Sequence, residues 1–188
     1  GVIFSEDGII ITNDHVVEGA TRITVTTVDG TEYEATLLGT DSKTDVAVLK
    51  VEATGLTPVI LGDSDALTVG EYTMVIGNPL GQLGGTVTDG IISALSRDVT
   101  INGETMNLLQ TNAAINPGNS GGGMFNEKGE LVGIVNAKSG NTDGSTSIEG
   151  LGFAIPVNTV KKSVEELLEY GYVRGRPALG VSLVDIDS

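Results

Sequence analysis

The sequence predicts an all-β protein, and three observations support this class. Short runs rich in β-branched residues follow one another, separated by Gly, Asp and Asn at roughly 8–12-residue spacing, which is typical of a β-sandwich or barrel. The 27 glycines, with only 4% aromatic residues, indicate many turns. A single segment has helical periodicity. The runs with strand character are Ile9–Thr12, Thr21–Thr27, Tyr33–Leu38, Val46–Val51, Tyr72–Ile76, Thr86–Ala94, Leu131–Val135 and Gly152–Ile155.

In two segments the sequence pattern also predicts which faces are buried. Valines alternate with other apolar residues in Val46–Leu49, which predicts a strand buried on both faces. The helix is predicted over about 158–170, where one apolar stripe is formed by Val160, Val164, Leu167 and Leu168. Asn158 is the predicted N-cap, and Gly171 is the predicted C-terminal stop.

A chain of 188 residues, 39% of them hydrophobic, is long enough for one domain with a sizeable core. The tetrapeptide beginning at Asp7 recurs at Asp89, as Asp-Gly-Ile-Ile in both places. This repeat suggests two similar β units, joined by the glycine-rich segment Gly77–Gly85. The first four residues have the character of a strand interior, so the chain resembles a piece of something longer.

Composition excludes several classes of function. A formal charge of −15 argues against binding to nucleic acid or to an anionic membrane surface. There is no cysteine and one histidine, which excludes disulfides, thiolate chemistry and the usual zinc sites. No calcium-binding loop motif and no run of about 18 apolar residues occurs. We therefore expect no metal, no cofactor and no direct contact of this domain with a membrane.

The segment Gly118–Gly122 places Ser120 among glycines, which let the backbone fold tightly around the hydroxyl and direct its N–H groups at a bound atom. The same segment matches the G-x-S-x-G nucleophile elbow of α/β-hydrolases. Those enzymes carry their histidine after the serine and a helix after the elbow. Here no histidine follows Ser120, and a strand is predicted after Gly122, so the elbow interpretation fails.

A histidine base for Ser120 has to be His15, about a hundred residues upstream, where a strand ends in a polar turn. The alternative is a surface or capping histidine. Asp45 immediately precedes the buried strand, and a carboxylate there needs a partner, for which His15 is the candidate. Asp41 is the rival carboxylate, but its polar surroundings favour a turn residue. The chain order His15, Asp45, Ser120 is that of chymotrypsin-type enzymes.

With these residues assigned, several ordered motifs closely resemble the HtrA/DegP family of trypsin-like serine proteases. The resemblance covers essentially the whole chain and is carried by Thr12–Val17, Thr44–Lys50, Gly77–Pro79, Ala113–Gly122 and Leu151–Pro156. Two positions depart from the family pattern. Gly123 stands where proline or a small residue is common, and Asn112 stands where Gln-Thr-Asp is common.

The resemblance implies two six-stranded antiparallel β-barrels of the chymotrypsin/trypsin-like type with a C-terminal helix. The barrels are expected at about 1–78 and 85–156, with the active site in the cleft between them. By the same match Ser120 is the nucleophile, His15 the general base and then acid, and Asp45 the orienting carboxylate. The N–H groups of Gly118 and Ser120, with Asn119 between them, are expected to form the oxyanion hole.

The resemblance also predicts substrate contacts. Ala114, six residues before the nucleophile, is expected at the base of the primary specificity pocket, which favours a small or medium aliphatic side chain before the cut bond. Val135, Asn136 and Ala137 are expected to pair with the substrate backbone as an added strand. Lys138 begins a polar loop, extending to Gly150, whose counterpart in the family helps to form the pocket.

The family suggests a setting for this domain of residues 1–172. Residues 173–188 resemble a linker and the start of a peptide-binding PDZ domain. Unfolded or damaged polypeptides are the expected substrates, at a bacterial cell surface or in the periplasm, with anchoring by an N-terminal segment absent here. A homotrimer is the family's usual assembly. A peptide-binding, chaperone-like module whose protease site is held inactive is the alternative function.

Overall fold

The computed structural model describes residues 1–78, 84–101, 104–137 and 150–175. Within these ranges the chain is largely β-structure with two α-helices and one 3₁₀ turn at Ser64–Ala66. The elements are β1 (Val2–Ile3), β2 (Ile9–Thr12), α1 (Asp14–Val17), β3 (Ile23–Thr26), β4 (Glu32–Asp41), β5 (Val46–Val51), β6 (Ile60–Leu61), β7 (Tyr72–Gly77), β8 (Thr86–Ile101), β9 (Glu104–Thr111), β10 (Gly123–Phe125), β11 (Glu130–Val135), β12 (Gly152–Pro156) and α2 (Val157–Tyr170).

The strands form two sheets. The second sheet is a closed barrel of six antiparallel strands, in the order β10-β7-β8-β9-β12-β11, with β10 and β11 paired to close it. The short strand β6 adds to β11 in parallel. The first sheet has the order β1-β2-β5-β4-β3. The predicted all-β fold of the trypsin-like type is confirmed. The first sheet has five paired strands in the part of the chain that the structure describes, one fewer than expected.

Three apolar clusters stabilise this arrangement. One fills the closed barrel and includes Val75, Leu109 and Met124. A second lies on one face of the first sheet and contains the alternate residues Ala47, Leu49 and Val51 of β5. The third lies between the sheets and α2, and takes the other face of β5, Val46 and Val48. The predicted burial of β5 on both faces is confirmed, and this strand is where the two halves of the domain meet.

Helix α2 forms where its apolar stripe predicts, and Gly171 ends it in a left-handed conformation, with φ of 77° and its N–H bonded to Leu167 O. The predicted N-cap was wrong. Pro156 occupies that position, because the helix begins directly from β12, and Asn158 lies in the first turn. There Asn158 donates from Nδ2 to Asp63 Oδ1 at 2.7 Å. Neither helix in the described ranges is long and apolar enough to cross a membrane.

Strand β8 is longer than predicted, because its outer half bears exposed polar residues that hide the strand from a hydrophobic pattern. It pairs with β9 through register shifts near Ala94, and β9 itself was not predicted. The Asp-Gly-Ile-Ile repeat is not a structural repeat. Gly8 lies in a turn before β2 with φ of 102°, whereas Gly90 lies within β8, paired with Thr73.

Candidate active site

His15 lies on α1, a single helical turn that follows β2 directly, where the sequence suggested a polar turn. Asn13 precedes this turn and is fully buried. Its side-chain Nδ2 donates to the main-chain oxygen of Asp45 at 2.9 Å. The amide of Asn13 therefore connects the start of α1 to the residue that faces His15, and no hydrophobic pattern in the sequence signals this contact.

Asp45 is the last residue of the turn between β4 and β5, and it has a left-handed backbone conformation with φ of 54°. Its carboxylate contacts His15 twice: Oδ1 accepts the main-chain N–H of His15 at 3.0 Å, and Oδ2 lies 2.7 Å from the ring Nδ1. A positive φ is uncommon for a residue other than glycine, and it persists where the surroundings hold it. The sequence predicted the His15–Asp45 pair, and the structure brings the two together.

Asn136 follows β11 and adds a third hydrogen bond to the same carboxylate, from its Nδ2 to Asp45 Oδ2 at 2.9 Å. This bond joins the closed barrel to the turn of the first sheet. The sequence assigned Asn136 to substrate contact, but its side chain is 1% exposed and faces Asp45. Two residues that hold Asp45, Asn13 and Asn136, were thus not foreseen in this role.

The contact with Asp45 determines which ring nitrogen of His15 carries the proton. A carboxylate only accepts hydrogen bonds, so Nδ1 carries a proton, and in the neutral form of the ring Nε2 has the lone pair. The His15 side chain is 18% exposed, which leaves the ring accessible from one side. In this tautomer His15 is able to act as a base through Nε2.

The glycines beside Ser120 are required by close approaches to both halves of the domain. Gly121 has φ of 78°, and a Cβ atom there would lie 2.2 Å from Thr12 Oγ1 on β2. At Gly122 a Cβ atom would lie 2.3 Å from the main-chain oxygen of Ile76 on β7. The loop that carries Ser120 is therefore inserted between β2 and β7, which brings Ser120 to the side of the domain occupied by His15.

Ser120 and His15 line one open cleft of about 1350 Å³, together with Pro117, Gly118 and Ala137. Ser120 Oγ accepts a hydrogen bond from the main-chain N–H of Ala137 at 3.2 Å. In the part of the chain that the structure describes, the Ser120 hydroxyl makes this hydrogen bond and none to the imidazole of His15. Serine hydroxyls change partner by rotation about one bond, and such contacts are often loose before substrate binds.

The main-chain N–H groups of Gly118 and Ser120 have no acceptor among residues 1–78, 84–101, 104–137 and 150–175. The neighbouring N–H of Asn119 is used within the loop, bonded to Asn116 O at 3.0 Å. Gly118 has φ of 99° and is exposed beside the cleft. Unpaired main-chain amides of this kind are able to donate hydrogen bonds to an anionic oxygen.

Ala114 and Val135, which were also predicted to contact substrate, do not line the cleft that Ser120 and His15 share. Ala114 is exposed, and its carbonyl accepts from Thr88 Oγ1 at 2.8 Å, but it is not among the residues lining the cleft. Val135 is fully buried, with its N–H bonded to Gly122 O at 2.9 Å and its carbonyl to Gly121 N–H at 3.0 Å. Lys138 lies outside the described residues, as do residues 139–149 of its loop and 176–188 of the predicted linker.

The rival carboxylate Asp41 and the two residues that depart from the family pattern, Gly123 and Asn112, have structural roles. Asp41 is buried and accepts from Thr44 Oγ1 at 2.6 Å, so it stabilises the turn as the sequence suggested. A Cβ atom on Gly123 would lie 2.5 Å from the Phe125 ring, so a larger residue there would force that side chain to move. Asn112 accepts the Ile91 N–H on its Oδ1 at 2.8 Å. No group of three or more potential metal-ligating side chains occurs in the part of the chain that is described.

Asp14, beside His15, provides a test of the electrostatics at this site. Desolvation raises the pKa of Asp14, a hydrogen bond from Thr40 opposes this, and the charge of Asp45 adds to it. When the pKa of an acid is higher in the folded than in the unfolded protein, the folded protein loses stability as the pH rises from the unfolded-state pKa to the folded-state pKa. Asp14→Asn is therefore expected to raise the melting temperature slightly at pH 7, and the gain should shrink as pH falls towards 4.

The matched control is Asp29→Asn. A hydrogen bond from Thr27 lowers the pKa of Asp29, which is exposed, so neutralising it should lower the melting temperature at pH 7 or leave it unchanged. Thermal melts followed by circular dichroism at several pH values measure both. A lower melting temperature for Asp14→Asn at pH 7 would contradict the assigned direction.

Comparison with known proteins identifies the family. Residues 1–134 match the model of the trypsin-like peptidase domain. The chain is 48% identical to the serine protease Do-like HtrA of Bacillus subtilis, over 100% of this chain and 42% of that protein. It is 47% identical to the putative serine protease HhoB of Synechocystis, over 99% of this chain and 44% of that protein. The chain thus spans less than half the length of these relatives.

Solved structures agree with this assignment. The HtrA-type protease AlgW with a decapeptide superposes with a TM-score of 0.81 at 41% identity, covering 90% of this chain and 51% of that one. A serine endoprotease from Yersinia pestis superposes with a TM-score of 0.76 at 42% identity, covering 92% of this chain and 58% of that one. The chain belongs to the trypsin-like peptidase domain family, as a domain of the HtrA type.

Proposed function

We propose that this chain is a serine endopeptidase domain in which Ser120 is the nucleophile, His15 the general base and acid, and Asp45 the orienting carboxylate. The observation that carries the proposal is the 2.7 Å contact between His15 Nδ1 and Asp45 Oδ2, with Ser120 lining the same cleft as the imidazole. This is the arrangement of groups that acyl transfer through a serine requires.

The reaction begins when Ser120 Oγ leaves the Ala137 N–H and turns towards His15. Oγ attacks the carbonyl carbon of the scissile peptide, and Nε2 of His15 takes the hydroxyl proton. The imidazolium that results is stabilised by Asp45. It then protonates the leaving amine, which releases one product and leaves an acyl-enzyme. A water molecule activated by Nε2 hydrolyses the ester and restores Ser120.

The tetrahedral intermediates place negative charge on the former carbonyl oxygen. The unpaired N–H groups of Gly118 and Ser120 are the donors we assign to that oxygen. Asn119 contributes no main-chain donor to it, because its N–H closes the turn to Asn116. In other enzymes, loss of one such donor costs about 10²–10³ in rate.

Substrates are proposed to be unfolded polypeptides bound as an added strand. The AlgW structures contain a decapeptide or a tripeptide, which supports peptide binding by proteases of this type. Both main-chain groups of Val135 and the N–H of Asn136 are already paired, so the substrate strand is assigned to Ala137, whose N–H becomes available when the Ser120 hydroxyl turns towards His15. Ala114 carries no charge, and we retain it as the residue that favours aliphatic side chains. Sequencing the products of casein digestion would reveal charged residues before the cut if that assignment were wrong.

The setting of the whole protein is also a proposal. Similar proteins include one from Chlamydia muridarum named as a probable periplasmic DegP-like endoprotease, 45% identical over 100% of this chain and 37% of that protein. This supports an extracytoplasmic location. As separate proposals, residues 173–188 lead into a further domain, and the assembly is a homotrimer. Fractionation of the native host and light scattering of the purified full-length protein test these points separately.

The test of the function is labelling by a fluorophosphonate probe, followed by digestion of casein as an unfolded substrate. We expect stoichiometric modification of Ser120, identified by peptide mass, and cleavage that the probe abolishes. Ser120→Ala is the control for both. Peptide binding without modification of Ser120 would instead support the alternative, a chaperone-like module with an inactive protease site.

Asn136→Ala is expected to lower kcat about tenfold with little change in KM. The variant removes a donor to a buried carboxylate, a contact worth about 1.5–3 kcal/mol, part of which positions Asp45. Steady-state kinetics on a fluorogenic peptide measure the effect. Asn126→Ala is the control, since Asn126 is also buried but bonds Glu130. A rise in KM at constant kcat would show that Asn136 contributes to substrate binding and not to the positioning of Asp45.

A further inference from the structure

Helix α2 follows the closed barrel in sequence but packs across strands β4 and β5 of the first sheet. Near its end, a Cβ atom on Gly39 of β4 would lie 2.8 Å from Gly171 O and 3.1 Å from Leu167 Cδ2. The apolar face of α2, including Val164 and Leu167, joins the cluster that also contains Val46 and Val48. The helix is thus fixed against the hairpin that carries Asp45.

A polar contact lies at the centre of this apolar interface. Ser163 of α2 is 4% exposed, and its Oγ lies 3.0 Å from Thr44 Oγ1 in the hairpin turn. Thr44 Oγ1 in turn donates to Asp41 Oδ2 at 2.6 Å. Because the hydroxyl proton of Thr44 is directed at Asp41, the Ser163 hydroxyl is the donor to Thr44. The three side chains form a chain of hydrogen bonds from α2 to the end of β4.

This chain of bonds constrains the residue next to it. Asp41 and Val46 are paired across β4 and β5, so residues 42–45 form the turn, and Thr44 directly precedes Asp45. Asp45 has a positive φ, a conformation of higher energy that neighbouring contacts have to hold. Thr44 is held from both sides, by Asp41 in its own hairpin and by Ser163 across the interface.

We propose that Ser163 is a positioning residue for the active site: through Thr44 it fixes the turn in which Asp45 meets His15. This inference rests on the proposed function of Asp45. It makes the hydrogen bond from α2 to Thr44 a determinant of catalytic rate, although no atom of α2 belongs to the three proposed catalytic residues. A displacement of a catalytic group by about 1 Å can cost 10²-fold in rate, so loss of this contact is expected to be measurable.

The test compares Thr44→Val, which removes the hydroxyl at nearly constant shape, with Thr44→Ser, which keeps it. Ser163→Ala removes the same contact from the α2 side. It is the smaller change, so it can serve as the test if Thr44→Val folds poorly. We expect Thr44→Val and Ser163→Ala to lower kcat about tenfold with KM unchanged. Thr44→Ser should retain kcat within about twofold of the unaltered domain. A tenfold change corresponds to about 1.4 kcal/mol in the barrier.

A second measurement does not depend on proteolysis. His15 is the only histidine in the chain, so the low-field proton NMR signal of its Nδ1–H is assigned without ambiguity. In Thr44→Val and Ser163→Ala this signal should broaden or move upfield, because the Asp45 carboxylate is less well held against it. In Thr44→Ser it should stay in place.

Val160→Ala is the control for a general loss of stability. Val160 is 1% exposed on the same helix, and its truncation should lower the melting temperature without touching Thr44. It should leave the Nδ1–H signal and kcat unchanged. If Ser163→Ala and Thr44→Val behave like Val160→Ala in both measurements, the contact is purely structural and the inference fails. If the domain shows no Ser120-dependent labelling, the proposed function fails instead, and the NMR comparison still decides the positioning of Asp45.

Discussion

Ser120→Ala is expected to lower kcat for peptide hydrolysis by about 10⁶-fold, the largest effect of any single substitution in this domain. The change removes the atom that forms the acyl-enzyme, and no cysteine is present to replace it. The residual rate should come from the amides of Gly118 and residue 120, which still polarise a bound carbonyl. Burst-phase and steady-state assays with an activated ester and a peptide measure the loss.

The fold should be unaffected by this change. Ser120 is partly exposed, and its side chain makes one hydrogen bond, from the Ala137 N–H, in the part of the chain that is described. The melting temperature should therefore stay within about 2 °C of the unaltered domain. Unfolded peptide should still bind, so the variant is also the reagent for measuring substrate affinity.

A double substitution makes the prediction more stringent. Because Ser120 and His15 act as one unit, His15→Ala alone should cost nearly as much as Ser120→Ala, and the pair together should cost no more than either. Additive losses would mean that the two side chains act in different steps. Retention of more than 1% of the rate by the purified Ser120→Ala variant would refute the assignment of the nucleophile.

The main parts of the fold and the His15–Asp45 pair could be predicted from sequence because each leaves a local signal. Strand β5 shows its two buried faces as the apolar run Val46–Leu49, and Asp45, directly before it, is conspicuous as a carboxylate that needs a partner. The glycines after Ser120 are needed because the backbone there approaches Thr12 and Ile76 too closely for any side chain. A single histidine left one candidate for the base.

The contacts that hold the site were not predictable in the same way. Asn136 and Asp45 are 91 residues apart, and Ser163 and Thr44 are 119 residues apart. Hydrogen bonds between distant elements impose no periodicity on the chain, and a buried asparagine or serine looks like a turn or surface residue in sequence. Pro156 took the predicted place of Asn158 as N-cap for a related reason, since the join of β12 to α2 is set by tertiary packing.

Asp45→Asn tests whether the orienting carboxylate acts through the tautomer of His15. The carboxylate accepts three hydrogen bonds, two from His15 and one from Asn136. An asparagine there keeps the shape and tolerates the positive φ, but it has one acceptor oxygen and introduces an N–H₂ donor. If the oxygen stays with the main-chain N–H of His15, the amide nitrogen faces Nδ1.

Facing a donor, His15 adopts the tautomer with its proton on Nε2, and it is then unable to take the proton of Ser120. We expect kcat to fall about 10⁴-fold, as in other enzymes in which this substitution imposes the wrong tautomer, with KM changed by less than threefold. Fluorophosphonate labelling of Ser120 should slow in parallel, because it requires the same proton transfer.

The control is Asp14→Asn, which removes a negative charge next to His15 without altering a hydrogen bond to the ring. It should retain kcat within about threefold, because charges that solvent reaches are screened. Comparable losses in the two variants would mean that Asp45 acts through its charge alone. A loss of less than 100-fold in Asp45→Asn, with the Nδ1–H signal of His15 still present, would show that another group sets the tautomer. The 2.7 Å contact and the buried donor from Asn136 argue for the larger loss, because together they leave Asp45 as the acceptor that holds the Nδ1 proton.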